Sequence, residues 1–131
     1  IEKEALRDFV PIIRKEMQSF LKLLLAMQKP MRILEVGTAV GFSAVLMAEY
    51  APKDCQIVTI ENYEKRIPIA KANFERAGKQ EQIIESHYIV ERRNRTIYKR
   101  MREYLYELTH SDELVTAVMP IGDGITVSTK L

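Results

Sequence analysis

The sequence has little of what would place it outside ordinary globular chemistry. It contains one cysteine, Cys55, which excludes an internal disulfide framework and fits a reducing, cytoplasmic setting. It has no long apolar run. The longest, FLKLLLAM at 20–27, is interrupted by Lys22 and is too short to span a bilayer, so no membrane association is expected. No signal-peptide pattern is present, and the chain opens on Ile1 in the middle of a helical pattern, which predicts that its N-terminus is incomplete. An excess of one charge is also lacking. The net charge is +2, so any basic patch has to be local. There are no internal repeats and no low-complexity segments. With 47% hydrophobic and 29% charged residues, 131 residues fit one domain whose core needs neither disulfide nor structural metal.

What is present is an alternation of helix and strand signals. Ile13, Met17, Phe20 or Leu21, and Leu24 recur at helical spacing in 4–28, with Pro11 marking an early break and Pro30 ending the helix. RILEV (32–36) reads as a buried strand, 41–50 as helix, QIVTI (56–60) as a second strand closed by Glu61, 63–77 as helix, and QII (82–84) as the start of a third strand. Pro68 is awkward inside the second of these helices. Then the alternation stops: 88–108 reads as one long helix, and ELVTAVMP (113–120) and GITVSTK (124–130) as two strands joined by the IGDG turn. Strand–helix–strand–helix–strand predicts a parallel α/β sheet.

The chemistry concentrates in ILEVGTAVGFSA (33–44). A strand ends in an acid, Glu35, followed by Gly37 and Gly41 and then Ser43. In an open α/β sheet ligands bind outside the carboxyl ends of the strands, and a glycine turn there lets a ligand approach the backbone. The following helix offers unpaired N–H groups at its start. Glu61, about twenty residues on, is placed to accept bonds from ribose hydroxyls. Dinucleotides favour G-x-G-x-x-G, whereas here Thr38–Val40 carry side chains where a pyrophosphate needs bare backbone, which weighs against NAD. S-adenosylmethionine fits better: Glu35 would face its amino group, Ser43 and the helix N-terminus its carboxylate, and Glu61 its ribose. The plain alternative is a tight strand–helix turn with two solvated glutamates. The pair of strand-end acids at this separation weighs against it.

RILEVGTAVGFSAVLMA, IVTIENYEKRIPIAKANFERAG and MPIGDGITVSTK, together with FVPIIRKEMQSFLKLLLAMQKP at 9–30, resemble the metal-dependent class I O-methyltransferases of the catechol and caffeoyl-CoA type, and most of all the bacterial tRNA 5-hydroxyuridine methyltransferases. The resemblance covers nearly the whole chain. It implies a Rossmann-like domain with a mostly parallel central sheet and helices on both faces. It implies that Glu35, Gly37 and Ser43 contact the methionine part of S-adenosylmethionine, that Glu61 holds the ribose, and that Ile13 packs near the cofactor. Asp123 and Gly124 shape a loop and take no catalytic role. Mg²⁺ is the implied metal and a homodimer the implied assembly. The implied reaction is methylation of 5-hydroxyuridine in tRNA to 5-methoxyuridine, with a catechol-like small-molecule hydroxyl as the alternative acceptor.

One part of the family pattern is missing. The metal site requires an Asp after a fourth strand and an Asp-Asn pair after a fifth, and neither stretch occurs. The chain passes from EQIIE at 81–85 to SHYIVERRNR at 86–95, pieces that lie far apart in the family. Two absent middle strands would leave a gap of roughly 10 Å beside RILEV, with unpaired backbone along it. The expectation is therefore a segment missing near 85–86; if it is truly deleted, the chain is a cofactor-binding remnant without catalysis.

Arg92, Arg95, Lys99 and Arg102 are spaced to form a basic stripe with Tyr98 and Tyr106 nearby, opposite Val90, Ile97, Met101, Leu105 and Leu108. Such a stripe suits an RNA backbone, although solvated charged faces are the commoner case and Glu103 and Glu107 balance it. His87 and His110 lack a second ligand at metal spacing and read as surface residues. Cys55 has no adjacent base. The six methionines read as core filler.

Overall fold

The computed structural model describes residues 1–87 and 97–131. The chain gathers into two compact units, Ile1–Val90 and Glu91–Leu131. The first contains α1 (Glu2–Arg7), α2 (Lys15–Gln28), β1 (Arg32–Val36), α3 (Phe42–Tyr50), β2 (Gln56–Glu61), α4 (Ile67–Arg76) and β3 (Ile83–His87). The second contains α5 (Ile97–His110), β4 (Leu114–Met119) and β5 (Ile125–Lys130).

In the first unit the three strands form a parallel sheet in the order β1-β2-β3. Register runs from Arg32 opposite Gln56 to Val36 opposite Ile60, and from Ile57 opposite Ile83 to Glu61 opposite His87. Alternation along the strands sends Ile33, Ile57 and Ile83 to one face. There they meet Leu25 of α2, Ala44 and Met47 of α3, and Ala70 and Phe74 of α4 in one core cluster. Ile57 is fully buried, a contribution of roughly 1.5–3 kcal/mol. Small residues at Ala44, Ala48 and Ala70 let the helices sit close to the sheet.

The parallel α/β class expected from the sequence is therefore what forms, with one difference. Within this unit the core cluster lies on a single face. Leu34, Val36 and Ile84 point the other way and are 66%, 81% and 53% exposed. Parallel strands are ordinarily covered on both faces. Beyond β1 no further strand pairs among the described residues.

Several boundaries differ from the sequence reading for identifiable reasons. The helical pattern of 4–28 splits into α1 and α2 around Pro11, with Phe9 at φ 53 in the connection. The helix expected over 63–77 begins at Ile67, so Pro68 falls in its first turn, where its missing N–H costs nothing. β3 runs unbroken through Glu85 and Ser86 to His87. The helix expected over 88–108 is described from Ile97, and its expected first residues lie outside the described residues. His87, expected at the surface, closes β3.

In the second unit β4 and β5 form an antiparallel hairpin from Leu114 opposite Lys130 to Met119 opposite Ile125. α5 packs on it through half-buried Leu105 and Leu108, and the Thr116 hydroxyl donates to the Leu108 carbonyl at 2.7 Å. Met101, expected on the core side of α5, is half exposed, as are Met27 and Met31; among the methionines only Met47 belongs to the core. Among the described residues no helix is long and apolar enough to cross a membrane.

Candidate functional site

β1 delivers Glu35 to its carboxyl end, and the chain turns at once through Gly37 (φ +100) and Gly41 (φ +81) into α3. The two glycines serve different needs. A side chain at Gly41 would place its Cβ 2.4 Å from Cε1 of buried Phe74, so α4 leaves no room there. At Gly37 the same construction meets nothing within 4 Å, which leaves the backbone open to close approach.

Three consecutive residues at the end of β2 grip three consecutive residues of this turn. The Thr59 hydroxyl meets the Thr38 hydroxyl at 2.7 Å. The Ile60 carbonyl accepts the N–H groups of Gly37 at 2.8 Å and Thr38 at 3.2 Å. Glu61 accepts the Ala39 N–H at 2.7 Å. That last bond secures Ala39 at φ 49, a conformation a non-glycine residue adopts only under constraint. From the other side, Asn73 of α4 donates to the Val40 carbonyl at 2.8 Å. Asn73 in turn accepts from Arg76 at 2.9 Å, and Arg76 makes two bonds to Glu4 of α1 at 2.9 and 2.6 Å. Arg76 and the N-terminal amine hold the Glu4 carboxyl down at about 2.

The Glu35 carboxylate sits over this frame. Ser43, at the start of α3, donates to one oxygen. Thr59 donates to the other at 2.5 Å. Burial raises the Glu35 carboxyl above its ordinary value, and the Ser43 and Thr59 bonds oppose that rise. Two hydroxyls occupy two of roughly four acceptor positions of a carboxylate, which leaves capacity for an incoming donor.

Of the residues expected to hold a cofactor, Glu35, Gly37 and Ser43 come together directly. The reading of Glu35 and Glu61 as solvated acids does not hold. Glu61 is 6% exposed and accepts backbone N–H groups from Ala39, Asn62 at 3.0 Å and Tyr63 at 2.9 Å. A ribose hydroxyl would share this carboxylate with the protein's own backbone or displace one of these bonds. Ile13 lies in the segment between α1 and α2, half-buried, its carbonyl accepting from Gln18 at 3.1 Å.

Thr38, Thr59 and Asn73 were not singled out from the sequence. The available signal was a polar residue, Thr59, at an inward position of β2 between Ile57 and Glu61.

Lys99 and Arg102 lie on exposed α5, with Arg102 5.8 Å from the Tyr98 ring; they share an open face with Tyr106, Glu103 and Glu107. Arg92 and Arg95 lie outside the described residues. His110 is exposed and stacked on Tyr106 at 4.0 Å. Cys55 is buried, which raises its thiol pKa and argues against a nucleophilic role. Among the described residues no group of three or more His, Cys, Asp or Glu side chains is arranged to hold a metal ion.

Comparison with known proteins gives a family-model match, described as O-methyltransferase, over residues 9–88. The chain is 38% identical over 64 residues to a catechol O-methyltransferase of Niastella koreensis, a match covering 49% of this chain and 29% of that protein. It thus spans under a third of the length of this relative. Among solved structures, a protein described as a caffeoyl-CoA O-methyltransferase from Staphylococcus aureus superposes with a TM-score of 0.89 at 21% identity, over 98% of this chain and 90% of that one. An O-methyltransferase from Bacillus cereus in complex with SAH superposes with a TM-score of 0.60 at 23% identity, over 85% and 47%. At these identities the superpositions establish the fold.

Proposed function

The chain belongs to the O-methyltransferase family, and on that premise we propose that it binds S-adenosylmethionine over the turn after β1 and directs methyl transfer to a hydroxyl oxygen. The observation that carries this reading is the Glu35 carboxylate, held by Ser43 and Thr59 at the end of β1 beside the open backbone of Gly37. The donor set suits the methionine part of the cofactor. Glu35 would accept N–H bonds from its ammonium group, and the first turn of α3 presents backbone N–H groups to its carboxylate. Gly37 admits the ligand against the main chain, and Glu61 keeps the turn in shape through Ala39. When bound, the cofactor supplies an electrophilic methyl group on sulfonium. The protein's contribution is alignment of that group with the acceptor oxygen. The bound SAH of the Bacillus cereus neighbour supports the cofactor assignment.

Mg²⁺ does not fit the described residues, which offer no cluster of ligands for it. No step is assigned to a metal.

For the acceptor, the leading reading remains 5-hydroxyuridine in tRNA, supported by exposed Lys99 and Arg102 beside Tyr98 on α5. A catechol-like small molecule is the second reading, supported by the catechol O-methyltransferase relative. A cytoplasmic homodimer belongs to the same proposal. Exposed Leu6, Phe9, Leu23 and Met27 on and beside α1 and α2 offer apolar surface for it.

We further propose that additional strands normally flank β1, carried by a segment missing near 85–86. Among the described residues β1 is an edge strand with a partner on one side only, which supports this. If they are absent from the functional protein, the chain is a cofactor-binding remnant. Peptide mapping of the cellular protein tests this: extra residues between Glu85 and Ser86 would establish the inserted segment, and a peptide running directly from Glu85 into Ser86 would refute it.

Titration calorimetry with S-adenosylhomocysteine tests the cofactor reading. Binding by the wild type, weakened at least roughly tenfold by Glu35→Ala, is expected from loss of a charge-assisted contact. Absence of binding by the wild type would refute it. Methyl transfer to hydroxyuridine-containing tRNA, with a salt-dependent KM, separates the first acceptor from transfer to a catechol.

A further inference from the structure

We infer that Thr59 is a positioning residue for the cofactor site: its hydroxyl orients the Glu35 carboxylate over the glycine turn and ties that carboxylate to the turn through Thr38. This rests on the cofactor reading above and names a residue that reading did not use.

Thr59 is fully buried and Thr38 is 1% exposed. A hydroxyl has one hydrogen to give. Thr59 gives its hydrogen to Glu35 at 2.5 Å. In the 2.7 Å contact with Thr38 it must therefore be the acceptor, and Thr38 the donor. The bonds run in one direction, Thr38 to Thr59 to Glu35, and Ser43 closes the set from α3 onto the second Glu35 oxygen. Each member comes from a different element: the turn, β2, β1 and α3. The carboxylate is thus fixed in two directions by groups that are themselves held. Thr38 is pinned by its N–H on the Ile60 carbonyl, and Thr59 by its place in the ladder opposite Glu35.

Both donated bonds favour the charged form of Glu35 against burial. The other carboxylate nearby, Glu61, is turned to the backbone of Ala39, Asn62 and Tyr63. A valine at position 59 would keep the shape of the side chain and fill the same buried space. It would remove the donor to Glu35 and the acceptor of Thr38 together. A serine would keep both functions.

The test compares Thr59→Val with Thr59→Ser in the full chain. Two readouts are used: affinity for S-adenosylhomocysteine by calorimetry, and the titration midpoint of the Glu35 carboxyl by carbon NMR. Thr59→Val is expected to bind roughly tenfold more weakly, the loss of one bond to a charged group. Its Glu35 midpoint is expected to move further up, with Thr59→Ser restoring both towards the wild type. A purely structural role for Thr59 would lower the unfolding midpoint and leave the carboxyl titration in place. An unchanged Glu35 midpoint in Thr59→Val overturns the inference, as does unchanged affinity where the wild type binds. If the wild type does not bind at all, the cofactor reading alone fails, and the shift or constancy of the Glu35 midpoint in Thr59→Val supports or overturns the positioning role by itself. The NMR titration of the unliganded chain would then still report whether Thr59 holds the carboxylate.

Discussion

Replacing each glycine of the turn by alanine should separate two effects that the sequence presents as one motif. Gly41 has φ +81 and Gly37 φ +100, so an alanine at either position carries left-handed strain of roughly 1–2 kcal/mol. Only at position 41 does the new Cβ strike a neighbour, 2.4 Å from the Phe74 ring. Phe74 is 2% exposed and belongs to the core cluster. Overpacking of this kind adds roughly 1–3 kcal/mol. Gly41→Ala should therefore cost about 2–5 kcal/mol in total, and a loss near 3 kcal/mol lowers the thermal midpoint by roughly 10 °C in a chain of this size. Gly37→Ala should cost only the strain. Because its Cβ would stand in the space a ligand approaches, it should lose cofactor affinity out of proportion to its stability. Urea unfolding of both variants, with calorimetric binding of S-adenosylhomocysteine to each, makes the comparison. The double variant Gly41→Ala/Phe74→Leu should recover the overpacking part and leave the strain. Equal destabilisation at the two positions, or no recovery in the double variant, would refute the argument from Phe74.

Burial places the Glu35 carboxyl above its ordinary value of 4.5. The native state then holds its proton longer than the unfolded chain. This contribution to stability is fully present below 4.5 and declines as pH rises through the raised native value. Cofactor affinity should change in the opposite sense, increasing over the same window as the carboxylate forms; Glu35→Gln should flatten both profiles, which unfolding and binding measured across pH will check. Asn73→Ala should leave the buried Val40 carbonyl without its donor and cost roughly 1–3 kcal/mol in urea unfolding. Neutralising Lys99 and Arg102 together should reduce the salt dependence of tRNA binding by about two phosphate contacts, if tRNA is the acceptor, and leave transfer to a catechol unchanged.

The first half of the fold was legible because its signals are local. RILEV ends against a glycine turn, QIVTI is a short apolar run closed by Glu61, and Ile13, Met17, Phe20 or Leu21, and Leu24 recur at helical spacing. Hydrophobic periodicity reports burial without knowledge of the partner. Pro68 was misjudged for a related reason: a proline is harmful or harmless according to where the helix starts, and four residues of boundary error reversed its meaning. The start of β3 was legible but its end was not, because ESH pairs with TIE of β2, a contact between residues 26 apart in the chain that no local pattern announces.

The candidate site divides the same way. Glu35, Gly37 and Ser43 were visible because a strand-end acid, a glycine turn and a helix start lie within nine residues of one another. By itself the sequence determined most of the elements and their order, since these follow from short-range pattern. Only the tertiary structure decided which hydrogen bonds the acids make. Parallel pairing sets Thr59 opposite Glu35 and turns Glu61 onto the backbone of Ala39. The packing of α4 decides that Gly41, and not Gly37, is needed for space. Hydrogen-bond geometry and steric room depend on the register and depth of segments far apart in the chain, and a linear sequence carries neither directly.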